Sequence, residues 1–311
     1  MSLRIGYLLP TRESIMEGRP EGEPLLELAE RAEELGYDSV WVGDSLLARP
    51  RHEPITLLAG VAGRTRRVKI GTAVLLPALR NPVLLAHQVA TLDQVSSGRV
   101  ILGIGIASDV PSIRAEFRAA GVPFEKRVGT MMEGMRLCKS LWSGKAVDWD
   151  GRWHVEKGVL GPTPHQPGGP PIWGGGSAPA ALERAARHFD GWFPTGPDAK
   201  RWGEQWRQVQ ALAREAGRNP QDVEAAVYLT LAVDENAERA NQRLHEFLRA
   251  YYGPRDLTKQ LQGAFAGSEG AAAEWLNGYV QEGARYFVLR FAGDHERLLE
   301  KIVKLRGSLS A

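Results

Sequence analysis

The stretch from Val68 to Gly105, VKIGTAVLLPALRNPVLLAHQVATLDQVSSGRVILGIG, switches hydrophobic period twice with no linker between, and this restricts the fold more than any other part of the chain. Residues 68–74 are apolar and β-branched, the pattern of a buried strand, until Pro77, Asn81 and Pro82 break it. Residues 83–95 then carry apolar side chains at helical spacing, Ser96, Ser97 and Gly98 stop that helix, and residues 99–105 form a second apolar run. Strand, helix and strand in this order make a βαβ crossover, which lays two parallel strands in one sheet.

The same alternation runs along the whole chain. Strands are expected at residues 3–9, 38–43, 68–74, 99–105, 171–174, 190–194, 223–233 and 285–291. Helices are expected at 24–35, 54–63, 83–95, 179–188, 201–216, 237–252, 271–283 and 295–305, with a further helical region from 106 to about 142 interrupted near Gly121. Eight strands, each followed by helix, is the count of an α/β fold of the (β/α)8 TIM-barrel type, which takes about 250 residues plus insertions. A doubly wound open sheet also alternates and is the competing layout. One insertion interrupts the rhythm before strand five: residues 146–155, AVDWDGRWHV, alternate around Asp150-Gly151 as a hairpin does, and a Gly- and Pro-rich loop follows. No repeat or linker divides residues 1–311, so they read as a single domain.

Composition narrows the function classes. The 39 Lys and Arg residues nearly balance the 37 Asp and Glu, without a block of one sign, so a nucleic-acid partner is not expected. No apolar run approaches the ~20 residues of a membrane span, and the opening MSLRIGYLLP lacks the pattern of an export signal. Cys138 is the single cysteine, which fits a buried, inert thiol in a reducing, cytoplasmic setting.

In a barrel, chemistry sits at the carboxyl ends of the strands. Those ends present Pro10 to Glu13, then Asp44 and Ser45, Ala73 to Leu76, Ile106 to Asp109, Gly175 to Ser177, Thr195, Asp234, and Arg290 with Phe291. This rim holds few titrating groups, and the scattered histidines give no metal-ligand spacing. In WGGGSAPAALERAA, the glycines Gly174, Gly175 and Gly176 let backbone approach a ligand, and Ser177 precedes a helix whose first amides suit a phosphate. Ser177 as a plain N-cap is the other reading. LGIGIAS is not a dinucleotide fingerprint, because Ser108 stands where the third glycine would fall, so close strand packing explains its glycines. Asp44 and Ser45 should reach the pocket floor, where Asp44 either meets a cofactor ring, orients a partner or caps its own loop. Arg51, His52 and Glu53 form either a lid or a solvated loop entering the next helix.

The pieces GTAVLLP, RNPVLLAHQVATLDQVSSGR, LGIG and PPIWGGGSAPAALERAARHFDGWF, in that order, resemble the luciferase-like superfamily of flavin- and deazaflavin-dependent oxidoreductases. The resemblance implies a TIM barrel that binds reduced FMN or reduced F420 at its carboxyl face. It places a non-prolyl cis peptide at Ala73-Val74 and the cofactor phosphate loop at Gly176 and Ser177. It also exposes two departures: the family's frequent active-site histidine aligns with Ser45, and the arginine that grips FMN phosphate aligns with Ile106, with Arg127 as a possible substitute. Serine cannot do histidine's acid–base work near neutral pH.

The main expectation is therefore an FMN-dependent monooxygenase acting with O2 on a small organic substrate, supplied by a separate reductase and assembled as a homodimer. The alternative is an F420-dependent hydride-transfer enzyme, which needs a basic groove for the cofactor's polyglutamyl tail; a non-catalytic flavin-binding or partner subunit is the third reading. Substrate choice is expected to fall to residues 15–23, 49–53, 149–154 and 253–270, with Trp149, Trp153, Phe265 and Phe291 as candidate apolar contacts.

Overall fold

Each expected barrel strand forms in the computed structural model, which describes residues 3–253 and 257–309. In chain order the strands are β1 (Arg4–Leu8), β2 (Ser39–Val42), β3 (Lys69–Thr72), β4 (Val100–Ile104), β5 (Val147–Asp150), β6 (His154–Gly158), β7 (Ile172–Gly174), β8 (Gly191–Trp192), β9 (Glu224–Val233), β10 (Ala264–Gly267) and β11 (Tyr286–Phe291). Parallel pairing runs β1-β2-β3-β4-β7-β8-β9-β11, and β11 returns to β1 with Tyr286 opposite Arg4. The ring closes, which rules out the doubly wound sheet. Helices such as Pro82–Val95 and Pro179–His188 cover the outside, the second through Ala181, Leu182, Ala185 and Ala186. Among the described residues, no helix is long and apolar enough to cross a membrane.

Large rings fill the barrel interior, and glycines on neighbouring strands make room for them. The Trp41 indole lies 5.3 Å from the Trp173 ring and 5.8 Å from Phe193, measured between centroids. A Cβ on Gly71 would sit 2.4 Å from the Trp41 ring, and one on Gly191 would sit 2.5 Å from Trp173. Burying aromatic side chains of this size stabilises the fold by roughly 2–3 kcal/mol each, so these glycines are fixed by packing.

The strand ends differ from expectation in two places. β8 spans only Gly191–Trp192, since Pro194 has no N–H to continue the ladder. β10 was not expected at all. It pairs in parallel with Thr230 to Val233, along the edge of β9 that β8 uses earlier at Glu224 and Ala225. Gly196 and Gly263 let the two segments meet there, each lacking a Cβ that would lie 2.6 Å from the other's Cα. The sequence AFAG offers no alternation by which such a strand could be read. Of the expected specificity segment 253–270, residues 254–256 lie outside the described residues. The hairpin forms as β5 and β6, and Cys138 is buried, with its thiol pushed up to about 12 by burial.

The seam between β1 and the helix His295–Lys304 carries a pH-sensitive contact. Tyr7 Oη and His295 Nδ1 are 2.7 Å apart, and burial pushes the imidazole down from 6.5 to about 4. The unfolded chain therefore binds the proton more readily, so this contribution is complete above about pH 6.5 and is lost as pH falls toward 4. Urea unfolding of the wild type is expected to lose about 2 kcal/mol over that window from this group, allowing for its partial exposure. His295→Asn should show a flatter pH profile; an unchanged slope would refute the assignment.

Candidate active site

Three of the four sequence pieces that resemble one family, GTAVLLP, LGIG and the glycine run before Ser177, meet in space at Val74. The Ala73-Val74 peptide is cis, as the resemblance implies. Leu75 N donates to Gly103 O at 2.7 Å, Gly105 N donates to Leu75 O at 2.9 Å, and Gly175 N donates to Ile104 O at 3.0 Å, which ties β3, β4 and β7 together at their carboxyl ends. A Cβ on Gly105 would lie 2.6 Å from Val74 Cγ2, and one on Gly175 would lie 3.4 Å from Val74 Cγ1. Gly103 has the same role below, where a Cβ would meet Thr72 O at 2.0 Å. Close packing thus accounts for the glycines of LGIG, as expected.

Beyond Val74 the chain makes an open turn. Gly174 is buried against Phe189, and Gly176 has φ +106, a backbone conformation natural to glycine. Trp192 Nε1 donates to Gly176 O at 2.8 Å and Gln205 Nε2 donates to Ser177 O at 3.0 Å, which fixes the carbonyls. Among the described residues, the amides of Gly176, Ser177 and Ala178 donate to no protein acceptor. They lead into the helix Pro179–His188, the arrangement that suits an anion. Ser177 is not the N-cap: Ala178 holds that position, without a side-chain cap. After β4, Arg127 Nε donates to Ile106 O at 3.0 Å and its guanidinium lies 3.7 Å from the Phe124 ring centroid. A guanidinium therefore does stand next to Ile106.

A cavity of about 180 Å³ opens beside Ala73 and Val74, lined also by Asp44, Ser45, Ala107 and Arg290. Asp44 is committed to the protein. Its carboxylate pairs with Arg80 at 2.5 and 3.0 Å and accepts from Leu76 N at 2.8 Å, so it holds the loop after β3 in place. Ser45 Oγ donates to Glu116 Oε1 at 2.8 Å and accepts from Arg49 N at 3.0 Å. The same Glu116 oxygen accepts from the amides of Leu46, Leu47 and Ala48, while its Oε2 is buried without a partner. Serine here is backed by a buried carboxylate. Glu53 caps the helix Pro54–Arg64 through Thr56 N, His52 reaches Pro20 O, and Arg51 turns into the cavity wall.

Three expectations are corrected. The cavity is more charged than expected, because Arg49, Arg51 and Glu116 line it beside Asp44 and Arg290. Trp149, Trp153, Phe265 and Phe291 do not line the cavity: Phe291 is in the main core, the others pack against it, and the aromatic wall is Tyr228, Tyr251 and Tyr252. Asp234 does not line the cavity either: it is buried in ion pairs with Arg239 and Arg243. Glu116, Arg80 and the tyrosine pair escaped the sequence reading because they come from helices and loops distant in the chain. One signal was present for Glu116: it sits with Ile113 and Phe117 on the apolar stripe of the helix Pro111–Ala119, where a carboxylate must have partners.

A closed parallel barrel whose β3 end is enclosed by glycines of the two next strands, with a turn of unpaired amides beside it, has the architecture expected of the luciferase-like class of oxidoreductases. Residues 3–309 match the luciferase-like monooxygenase family, and the chain belongs to that family. It is 31% identical over 221 residues to a 5,10-methylenetetrahydromethanopterin reductase of Methanolobus tindarius, covering 70% of this chain and 65% of that relative. This chain thus spans less than two thirds of that relative's length. It is 30% identical over 255 residues to an F420-dependent glucose-6-phosphate dehydrogenase of Amycolatopsis mediterranei, covering 79% of this chain and 74% of the relative. Its fold superposes on an F420-dependent secondary alcohol dehydrogenase with a TM-score of 0.86 over 100% of both chains, at 20% identity.

Proposed function

We propose that this protein is an F420-dependent oxidoreductase that passes hydride to or from a small organic substrate in the cavity beside Ala73 and Val74. The observation that carries this reading is the 30% identity, over 79% of the chain, to an enzyme whose name specifies F420. The FMN-dependent monooxygenase, the main expectation from the sequence, has support only at the level of the family, so the alternative moves ahead of it. Under the F420 reading neither O2 nor a flavin reductase is a co-reactant.

The residues present fit the cofactor. The free amides of Gly176 and Ser177 would take its phosphate, helped by Arg127, while Ala73, Val74, Ile106, Gly174 and Gly175 would support the ring and its linker. When bound, reduced F420 supplies a hydride donor and oxidised F420 an acceptor. Ser45 and Glu116 then supply the proton route that histidine gives elsewhere in the family: a substrate hydroxyl gives its proton to Ser45 Oγ as Ser45 passes its own to Glu116 Oε1. Asp44 acts as a positioning residue, through Arg80 and Leu76.

Fluorescence-quenching titrations of F420 and FMN on the same purified protein test the reading. F420 is expected to bind about tenfold or more tightly than FMN. Preference for FMN would restore the monooxygenase, and binding of neither would favour the non-catalytic subunit.

A further inference from the structure

We propose that a second cavity, between the helices Glu23–Leu35 and His295–Lys304 on the outside of the barrel, is a binding site for an organic ammonium ion. Its volume is about 800 Å³, the size of a small-molecule site, and it shares no lining residue with the cavity beside Val74. Phe247 lines it with a ring that stands 5.2 Å from the guanidinium of Arg290, which lines the other cavity. The site is therefore separate from the oxidoreductase chemistry and does not rest on it.

The charge of this cavity is one-sided. Glu13, Glu17, Glu21 and Glu27 line it from the segment between β1 and β2, and Asp294, Glu296 and Glu300 line it from the segment after β11. Against these seven carboxylates stand two guanidiniums, both already engaged: Arg19 with Glu17, and Arg31 with Glu300 at 2.6 Å and with Glu34 at 3.2 Å. His295, also on the wall, adds no charge near neutral pH, because burial holds its imidazole down at about 4. This excess of carboxylates belongs to a chain whose net charge is +2, so it is a local property.

Acidic side chains at a rim are ordinary solvated surface, and it is the floor that marks a ligand. Ser14 is 6% exposed and lines the cavity, yet its hydroxyl has no hydrogen-bond partner. Glu13 Oε1, from the adjacent residue, is buried without a partner as well; Arg290 and Arg51 act on this carboxylate through the field alone. Two unpaired polar groups in one cavity are costly unless something that enters it pairs with them. An ammonium group does so, since its N–H bonds go to a carboxylate and a hydroxyl oxygen alike. Leu25, Leu28 and Phe247 give the carbon part of such a ligand an apolar wall. Among the described residues no group of three His, Cys, Asp or Glu side chains could hold a metal ion, so the cation that fits is an organic one.

The test is calorimetric titration of benzylamine and, separately, spermidine into the wild type, Glu13→Gln and Ser14→Ala at low ionic strength, with magnesium chloride as the control for bare charge. Circular dichroism verifies folding. Ser14→Ala deletes a hydroxyl that has no partner, so it should keep wild-type stability and carries the test if Glu13→Gln does not fold. Saturable binding of either amine, weakened about tenfold or more by Glu13→Gln and about threefold or more by Ser14→Ala, supports the site. Tighter binding of benzylamine assigns an amine with an apolar body against Phe247, and tighter binding of spermidine a polyamine held along the acidic rim. No saturation by about 10 mM, unchanged affinity in either variant that folds, or binding no tighter than that of magnesium would overturn it.

Discussion

Glu116→Ala is expected to lower the unfolding free energy by about 3 kcal/mol and to abolish most turnover, because one carboxylate oxygen organises the loop after β2. Ser45 Oγ and the amides of Leu46, Leu47 and Ala48 all donate to Oε1. Each buried donor left without an acceptor costs about 1–3 kcal/mol, but the loop is exposed at Leu46 and Leu47 and its amides can reach water, so the sum is not reached. The same loop carries Arg49 and Arg51 to the cavity, and its release should raise KM as well as lower kcat. Glu116→Gln keeps an acceptor and should recover most of the stability while kcat stays low, since an amide cannot take the proton from Ser45. Urea denaturation with steady-state kinetics on both variants checks this. Equal kcat in Glu116→Gln and wild type would remove Glu116 from the proton route.

Asp44→Ala is expected to cost about 3–5 kcal/mol, the range for removing one partner of a buried ion pair. The Asp44 side chain is 1% exposed and Arg80 13%, and their contact is bidentate. Glu53, 44% exposed and 3.2 Å away, is too well hydrated to replace it. Leu76 N would lose its acceptor as well, freeing the segment that follows Val74. The double variant Asp44→Asn with Arg80→Met should lose less than the sum of the single changes, because neither leaves the other's charge stranded. Strict additivity in urea unfolding would mean that the pair is not coupled.

Residues 68–105 determined their own crossover, and the repetition of that unit determined the barrel, because hydrophobic period and Gly or Pro stops are local properties that survive in the folded state. The turn at Gly174 to Ser177 was legible for the same reason: glycine marks backbone that must be open or left-handed. β10 was not, because AFAG becomes a strand only when β9 offers the edge that β8 has left. Nor was the site's charge. Asp44 reads equally as a ligand contact or as a loop cap until Arg80 and Leu76 N are seen on its carboxylate, Ser45 reads as a lost histidine until Glu116 is seen beside it, and Arg12 and Arg290, legible as strand-end residues, show no sign in the sequence that Tyr251 brings them together. Chain patterns record which side chains leave water; which charges then face one another depends on the closure of the ring, and only the tertiary structure decides that.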